Sequence, residues 1–459
     1  MADRFSVLIM AAGLGTRMRS EVPKVLHPVA GKPMVGWVID AARAAGADEV
    51  VCIVRPGDGV EEGLPDGVSV ARQEQGEGTG SAVLAARERL TDGGSFVVLS
   101  GDHPLVSEEL ISDLVSTHKG DRAIATLLTT SDLDPAGYGR IVRRDDGRVD
   151  RIVETKYPDR VPDEELAIRE INLGTYVFEG PELVEALDEV GEIDGEIHLT
   201  EAFPVLSANG GRLAVEETHD PLSALGVNSR VELMEAERLA QRKLIEEHAR
   251  AGVTFVSPET TSVDAGVEIG EDTTIAPGVS LRGATRVGEG CEVGPHSTLV
   301  DATLGDRVTV PHSYLLECEV EDEATIGPFA YLRPGAVVHE KAKVGTFVEV
   351  KNSEIGRGAK VPHLSYIGDA DVGEESNLGA STITANYDGK EKHRTKLGKR
   401  VKTGIHTSLV APLNVGDGAY TGAGSAITED IPDDALGIAR QRQTNIEGYA
   451  ERDEEDSPE

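Results

Sequence analysis

The sequence predicts an α/β protein built from two successive folds: a Rossmann-like sheet in the first half and a parallel β-helix of hexapeptide repeats in the second. Two observations predict it. Apolar, strand-like runs alternate with helix-like segments as far as Leu114, the pattern of a mostly parallel sheet with helices on both faces. After Val253 an aliphatic residue returns every six positions, at Ile269, Ile275, Leu281, Val287, Val293 and Leu299. One inward aliphatic per six residues marks a coil of three short strands, stacked so that the aliphatics form a buried column.

The elements follow in order. Phe5 to Ala12 is too short for a membrane span, lacks a cleavage-site pattern and reads as a first buried strand. A helix is expected from Met34 to Ala45, a strand over Glu49 to Val54, and an Ala-rich helix over Ser81 to Arg89. The run Phe96-Val97-Val98-Leu99 is a second central strand, followed by Gly101-Asp102 and a helix from Leu105 to Leu114. Ligands gather at the carboxyl ends of strands in such sheets, so the loops after Met10 and Leu99 should lie together. Arg230 to Arg250 carries apolar residues at helical spacing and reads as a long connecting helix, with Gly252 as its stop. The six-residue beat returns at Ile326-Leu332, Ile355-Val361-Ile367, Val372-Leu378 and Leu409-Val415, and breaks most widely at Thr384 to Lys396. The resulting division is 1–229, 230–251, 252–450 and an acidic tail, 451–459, expected to be disordered.

Across 459 residues the formal net charge is −36. That argues against nucleic acid or an anionic membrane as partner, and it suits a solvated surface or a salt-adapted host. A local glycine-rich loop with Arg and Lys can still bind phosphates. The sparse, odd set Cys52, Cys291 and Cys318 shows no ligand spacing and suits a reducing cytoplasm.

Gly13-Leu14-Gly15-Thr16-Arg17-Met18 follows the first strand, with Pro23-Lys24-Val25-Leu26 close behind. Glycines let backbone N–H groups approach a phosphate, and Arg17 and Lys24 add fixed positive charge. The glycine pair alone would equally make a tight strand-to-helix turn. Asp102, at the end of the second central strand, is placed to hold magnesium near a triphosphate, or else to cap the helix that follows; His103 is read as structural. In the second half, acyl transfer to an amine needs a base and oxyanion donors. His363 taken alone would be structural. Arg333, Glu349 and Lys351 lie on nearby coils by the repeat count, and two cations near a base suit a sugar phosphate.

The run Ala11-Ala12-Gly13-Leu14-Gly15-Thr16-Arg17-Met18 with Pro23-Lys24-Val25-Leu26-His27 resembles the signature of sugar-nucleotide pyrophosphorylases. Adding Gly78-Thr79-Gly80, Gly137-Tyr138-Gly139-Arg140, Ile152-Val153-Glu154, Glu170-Ile171-Asn172 and Gly226-Val227-Asn228, the chain resembles one bacterial family from about Phe5 to Tyr449. That family comprises the bifunctional N-acetylglucosamine-1-phosphate uridyltransferases and glucosamine-1-phosphate N-acetyltransferases. The resemblance implies a nucleotidyltransferase sheet, a left-handed β-helix and a cytoplasmic homotrimer with acetyl sites between neighbouring subunits. It implies that Met10, Ala11, Ala12, Gly13, Gln73, Gly78 and Thr79 hold the uridine of UTP, with Ser100 and Gly101 beside them. Gly139, Glu154 and Asn172 would hold N-acetylglucosamine, and Asp102 and Asn228 would ligate Mg2+. In the second half His363 would accept the proton. Arg333, Glu349, Lys351, Tyr366, Asn377, Asn386 and Lys392 would surround the glucosamine phosphate. Ala380, Asn386, Tyr387, Ile405, Ala423 and Arg440 would contact acetyl-CoA.

Two positions depart from the family pattern. Ser100 stands where relatives often carry an aromatic residue, which alters sugar stacking but leaves the metal site. Ile405 stands where the family commonly has Ser, which weakens a contact to the pantetheine arm. A single-activity pyrophosphorylase with a regulatory or oligomerising β-helix would carry no base there; His363, Asn386 and Lys392 count against it. A non-catalytic assembly subunit would have lost Lys24 or Asp102, and both are present.

Overall fold

Side-chain alternation along buried strands organises the first half of the computed structural model, which describes residues 4–155, 158–193 and 195–449. Val7 and Ile9 pack with Val35, Val38, Ile39, Ile111 and Leu114 on one side of the sheet. Leu8 and Val98 pack with Val83, Leu90, Leu183 and Phe203 on the other. Successive residues of a strand face opposite ways, so a continuous apolar run serves two helical layers.

The chain divides into two compact units, Met1–Arg242 and Lys243–Glu459, so the boundary falls within the helix Arg230–Arg250. The first unit holds a nine-stranded sheet. Phe5–Met10 lies parallel to Glu49–Val54 and to Ser95–Ser100, as the alternation predicts. The sheet is nevertheless mixed, because Ile171–Glu179 runs antiparallel between Ser95–Ser100 and Ala125–Thr130. The helix Met34–Ala44 falls where expected. The Ala-rich segment is two short helices, Thr79–Leu84 and Arg87–Thr91. The next helix is Glu108–Gly120, capped by the Ser107 hydroxyl accepting from the Leu110 N–H at 3.2 Å. Asp102 is therefore free of the capping role.

The second unit is a left-handed parallel β-helix, whose strands of two to four residues stack into three sheets of seven, ten and nine strands. These sheets are called the first, second and third faces below. The hexapeptide aliphatics point inward and stack on each other: Ile275 on Val293, Leu281 on Leu299, Val287 on Leu304. All six are at most 4 % exposed. Corners recur in the left-handed φ region, including Asp301 at 48°, Asn352 at 45° and Leu364 at 49°. The expected break is a loop, 386–394, between strands Ile383–Ala385 and Thr395–Leu397. It leaves the stack at the corner between the second and third faces. The expected acidic tail lies outside the described residues. No helix among them is long and apolar enough to cross a membrane.

Close stacking leaves no room at some glycines. A Cβ on Gly345 would lie 2.0 Å from the Pro362 carbonyl oxygen on the next coil. Gly345→Ala is expected to destabilise the β-helix by about 2–4 kcal/mol, read as a lowered melting temperature.

Candidate active sites

The first site is assembled at the carboxyl ends of the two central strands. The Gly101 N–H donates to the Met10 carbonyl at 2.9 Å, so the loops after those strands adjoin, as expected. Gly15 adopts φ 58°, and a Cβ there would fall 2.6 Å from the Lys24 Cβ. The second glycine of the motif thus lets Lys24 cross over the loop. Its ammonium ion-pairs with the Asp102 carboxylate and donates to Asn228 Oδ1 at 3.2 Å. Asn228 is held in turn by its N–H donating to Glu232 Oε2 at 2.6 Å.

Asp102 is 5 % exposed. Burial pushes its carboxyl up, but His103, Lys24 and the Ser100 hydroxyl outweigh that and hold it below the usual range. Ser100 Oγ donates to Asp102 Oδ1 at 2.6 Å, so the serine at this departure from the family pattern touches the carboxylate expected to ligate the metal. The half-buried His103 ring stands 3.6 Å from the same oxygen, and desolvation lowers its pKa, favouring the neutral ring.

A cavity of about 1020 Å3 opens beside this cluster. Met10, Arg17, Thr79, Ser100, Gly139, Glu154, Asn172 and Asn228 are among the residues that line it. Asn172 is fixed at both ends: its Nδ2 donates to the Tyr176 hydroxyl at 2.7 Å, and its Oδ1 accepts from the Gly174 N–H at 3.2 Å. Ala11 is anchored to the Ile53 carbonyl at 2.8 Å, and Ala12 accepts from Arg55 Nε at 3.4 Å; Gly13 follows, exposed. Gln73 Nε2 donates to the Gly76 carbonyl at 3.1 Å. Gly78 adopts φ 94°, where a Cβ would meet the Ile197 carbonyl at 2.4 Å, and Thr79 Oγ1 accepts from the Leu199 N–H at 2.9 Å.

The second unit carries two groups of candidate residues. His363 ends a first-face strand, Lys360–His363, and is exposed. Below it, at the same corner, come Ala380, Ile405 and Ala423 on successive coils. The ladder Ser381 N–H to His363 carbonyl, His406 to Ala380 and Gly424 to Ile405 sets that order, at 3.2, 2.8 and 2.8 Å. Arg440 continues it beside Gly424, and Ile405 is 53 % exposed. Asn377 bridges Lys360 and Lys402 on the first face as well.

Arg333, Glu349, Lys351 and Tyr366 belong instead to the second face. Arg333 Nη1 pairs with Glu349 Oε1 at 2.8 Å, and Lys351 Nζ with Asp369 Oδ2 at 3.2 Å. Glu349 stacks on Tyr366. Asn386 donates from Nδ2 to Asp369, and Tyr387 and Lys392 pair across the protruding loop. Sequence spacing places these cations near His363. In the structure Lys351 lies one coil and Arg333 two coils before His363, and both belong to the second face rather than the first.

Comparison with known proteins now decides the family. Residues 7–152 match the MobA-like NTP transferase domain, and residues 266–300 match the bacterial transferase hexapeptide (six repeats). A protein of Halalkalibacterium halodurans described as "Bifunctional protein GlmU" is 47 % identical over 98 % of this chain and 99 % of its own. Proteins of the same description from Caldanaerobacter subterraneus subsp. tengcongensis and Listeria monocytogenes are 46 % and 45 % identical. They are covered over 97 % and 98 % of both chains. The chain belongs to the GlmU family.

GlmU membership accounts for the pairing of a nucleotide-binding sheet with a hexapeptide helix in one chain. Two residues beside the GlmU-type motifs stand out in the structure. His103, read from the sequence as structural, lines the first cavity. Asp369 gathers Lys351 and Asn386 from other coils, a relation that spacing does not reveal.

Proposed function

We propose that the two transferase activities of a GlmU-family protein are housed in these two clusters, one in each compact unit. The chain is a UDP-N-acetylglucosamine pyrophosphorylase and a glucosamine-1-phosphate N-acetyltransferase. The uridyltransferase part is 1–229, the connecting helix 230–251 and the acetyltransferase part 252–450. The protein works as a cytoplasmic enzyme on small-molecule substrates.

In the first site Met10 to Gly13, Gln73, Gly78 and Thr79 hold UTP, and Gly139, Glu154 and Asn172 hold N-acetylglucosamine-1-phosphate. The sugar-phosphate oxygen attacks the α-phosphorus in line and pyrophosphate leaves. Arg17 and Lys24 neutralise the charge that builds on the phosphates. Asp102 and Asn228 fit Mg2+: a carboxylate and an amide oxygen already converge on one cation, the Lys24 ammonium, and hard oxygen donors leaving positions for phosphates suit that ion. When bound, Mg2+ supplies further charge neutralisation at the phosphates. That convergence is the observation that carries the assignment. Chelation of divalent ions is expected to reduce pyrophosphate release to background and leave acetyl transfer unchanged; loss of both, or of neither, would refute it.

In the second site the thioester arm of acetyl-CoA runs along the corner ladder Ala380, Ile405, Ala423 and Arg440, ending at His363. Asn377 lies beside that ladder on the first face. Arg333, Lys351, Tyr366, Asn386 and Lys392 hold glucosamine-1-phosphate, Glu349 orients Arg333, and Asn386 and Tyr387 meet both the amino sugar and the thioester. His363 accepts the ammonium proton as the nitrogen attacks the thioester carbonyl. The two groups occupy different faces of one chain, and this favours a homotrimer in which one subunit's base faces its neighbour's sugar-binding face.

A further inference from the structure

Asp369 is the feature this reading leaves unused. It turns the corner between the second and third faces at φ 49°, with 7 % of its surface exposed. The corner tolerates other residues, since Asn352 turns it one coil earlier at φ 45°. Nor does the coil require a buried charge for its backbone. At the same corner Asp301 accepts from the Ala284 N–H at 2.9 Å, whereas the donors that reach the Asp369 carboxylate are side chains. Lys351 Nζ lies 3.2 Å from Oδ2, Asn352 Nδ2 donates to Oδ1 at 2.6 Å, and Asn386 Nδ2 donates to Oδ2.

An ionised carboxylate can only accept hydrogen bonds. The Asn386 amide must therefore turn its NH2 toward Asp369 and its carbonyl away. We propose that Asp369 is a positioning residue for acetyl transfer: it fixes the Asn386 amide with its carbonyl toward the incoming amine and holds Lys351 beside it. The inference rests on the proposed placing of Asn386 and Lys351 at the amino-sugar phosphate. A carbonyl oxygen accepts from the amine N–H and so aims the nitrogen lone pair at the thioester. A flipped amide would present its NH2 to an ammonium group and repel it.

The test is a double-mutant cycle on the full-length protein, with acetyl-CoA and glucosamine-1-phosphate as substrates. Asp369→Asn is expected to lower kcat by about 10- to 100-fold and to leave KM for acetyl-CoA within about twofold, because the arm binds along another corner. Combined with Asn386→Ala, its effect should fall short of the product of the two single effects by about tenfold. Multiplying effects, or an unchanged kcat in Asp369→Asn, would overturn the proposal. Should Asp369→Asn melt below the assay temperature, Asn352→Ala enters the same cycle. It removes one anchor of the carboxylate and should cost about threefold, again without multiplying, and a multiplying effect would overturn the proposal there too. An unchanged kcat in Asn386→Ala would refute the site reading beneath it; a large loss there with multiplying effects refutes this inference alone.

Discussion

Asp102→Ala is expected to lower pyrophosphate release by about three orders of magnitude and leave acetyl transfer at the wild-type rate. The variant removes a ligand for the divalent ion and, in the same step, the partner of Lys24. The ammonium side chain is only 14 % exposed, and without the carboxylate Asn228 Oδ1 is the one acceptor left to it among the described residues. Leaving such a group short of partners costs about 1–3 kcal/mol, so the first unit should remain folded with a lowered melting temperature. A coupled assay for pyrophosphate and a thiol assay on the same preparation check both halves. Acetyl transfer is spared because its candidate residues all belong to the second compact unit.

The second large effect is expected from His363→Ala. Removing a general base costs about 100- to 10,000-fold, here in free-thiol release from acetyl-CoA. The side chain is exposed, so the melting temperature should hardly move. The residual rate should climb with pH over the range in which glucosamine-1-phosphate loses its ammonium proton, because the substrate then supplies the free amine itself. A His363→Ala enzyme that kept wild-type kcat at neutral pH would rule out His363 as the base. Pyrophosphate release is expected to be unaffected.

Much of this organisation is legible in the sequence because it rests on local periodicity. The strand Glu49–Val54 and the helix Arg230–Arg250 fall where apolar spacing places them, and the six-residue beat names the inward side chains that stack, such as Ile275 on Val293. What escaped depends on partners distant in the chain. The antiparallel strand Ile171–Glu179 is fixed by neighbours on both sides and carries a register shift between Asn172 and Tyr176, which no short window reveals. The Ala-rich segment loses helical continuity between Leu84 and Arg87, although its composition favours a single helix.

The sites show the same division. The glycine pair with Lys24 reads in the sequence as a candidate phosphate-binding loop, and the structure adds why the second glycine is there: Lys24 crosses directly over it. The capping role that the sequence offered to Asp102 is taken instead by Ser107, at the start of Glu108–Gly120. Ser100 reads in the sequence as a lost aromatic, and only its 2.6 Å hydrogen bond shows that it touches the carboxylate instead. The separation of His363 from Arg333 and Lys351 was hidden because a repeat count gives the coil but not the face. Asp369 looks like an ordinary corner residue until side chains from neighbouring coils are seen converging on it.

The most direct measurement is a matched pair of assays on wild type, Asp102→Ala and His363→Ala from one purification. Pyrophosphate release should collapse only in the first variant and thiol release only in the second. If either substitution silenced both reactions while the melting curve stayed intact, the two chemistries would share one centre, and the assignment of one reaction to each compact unit would be wrong.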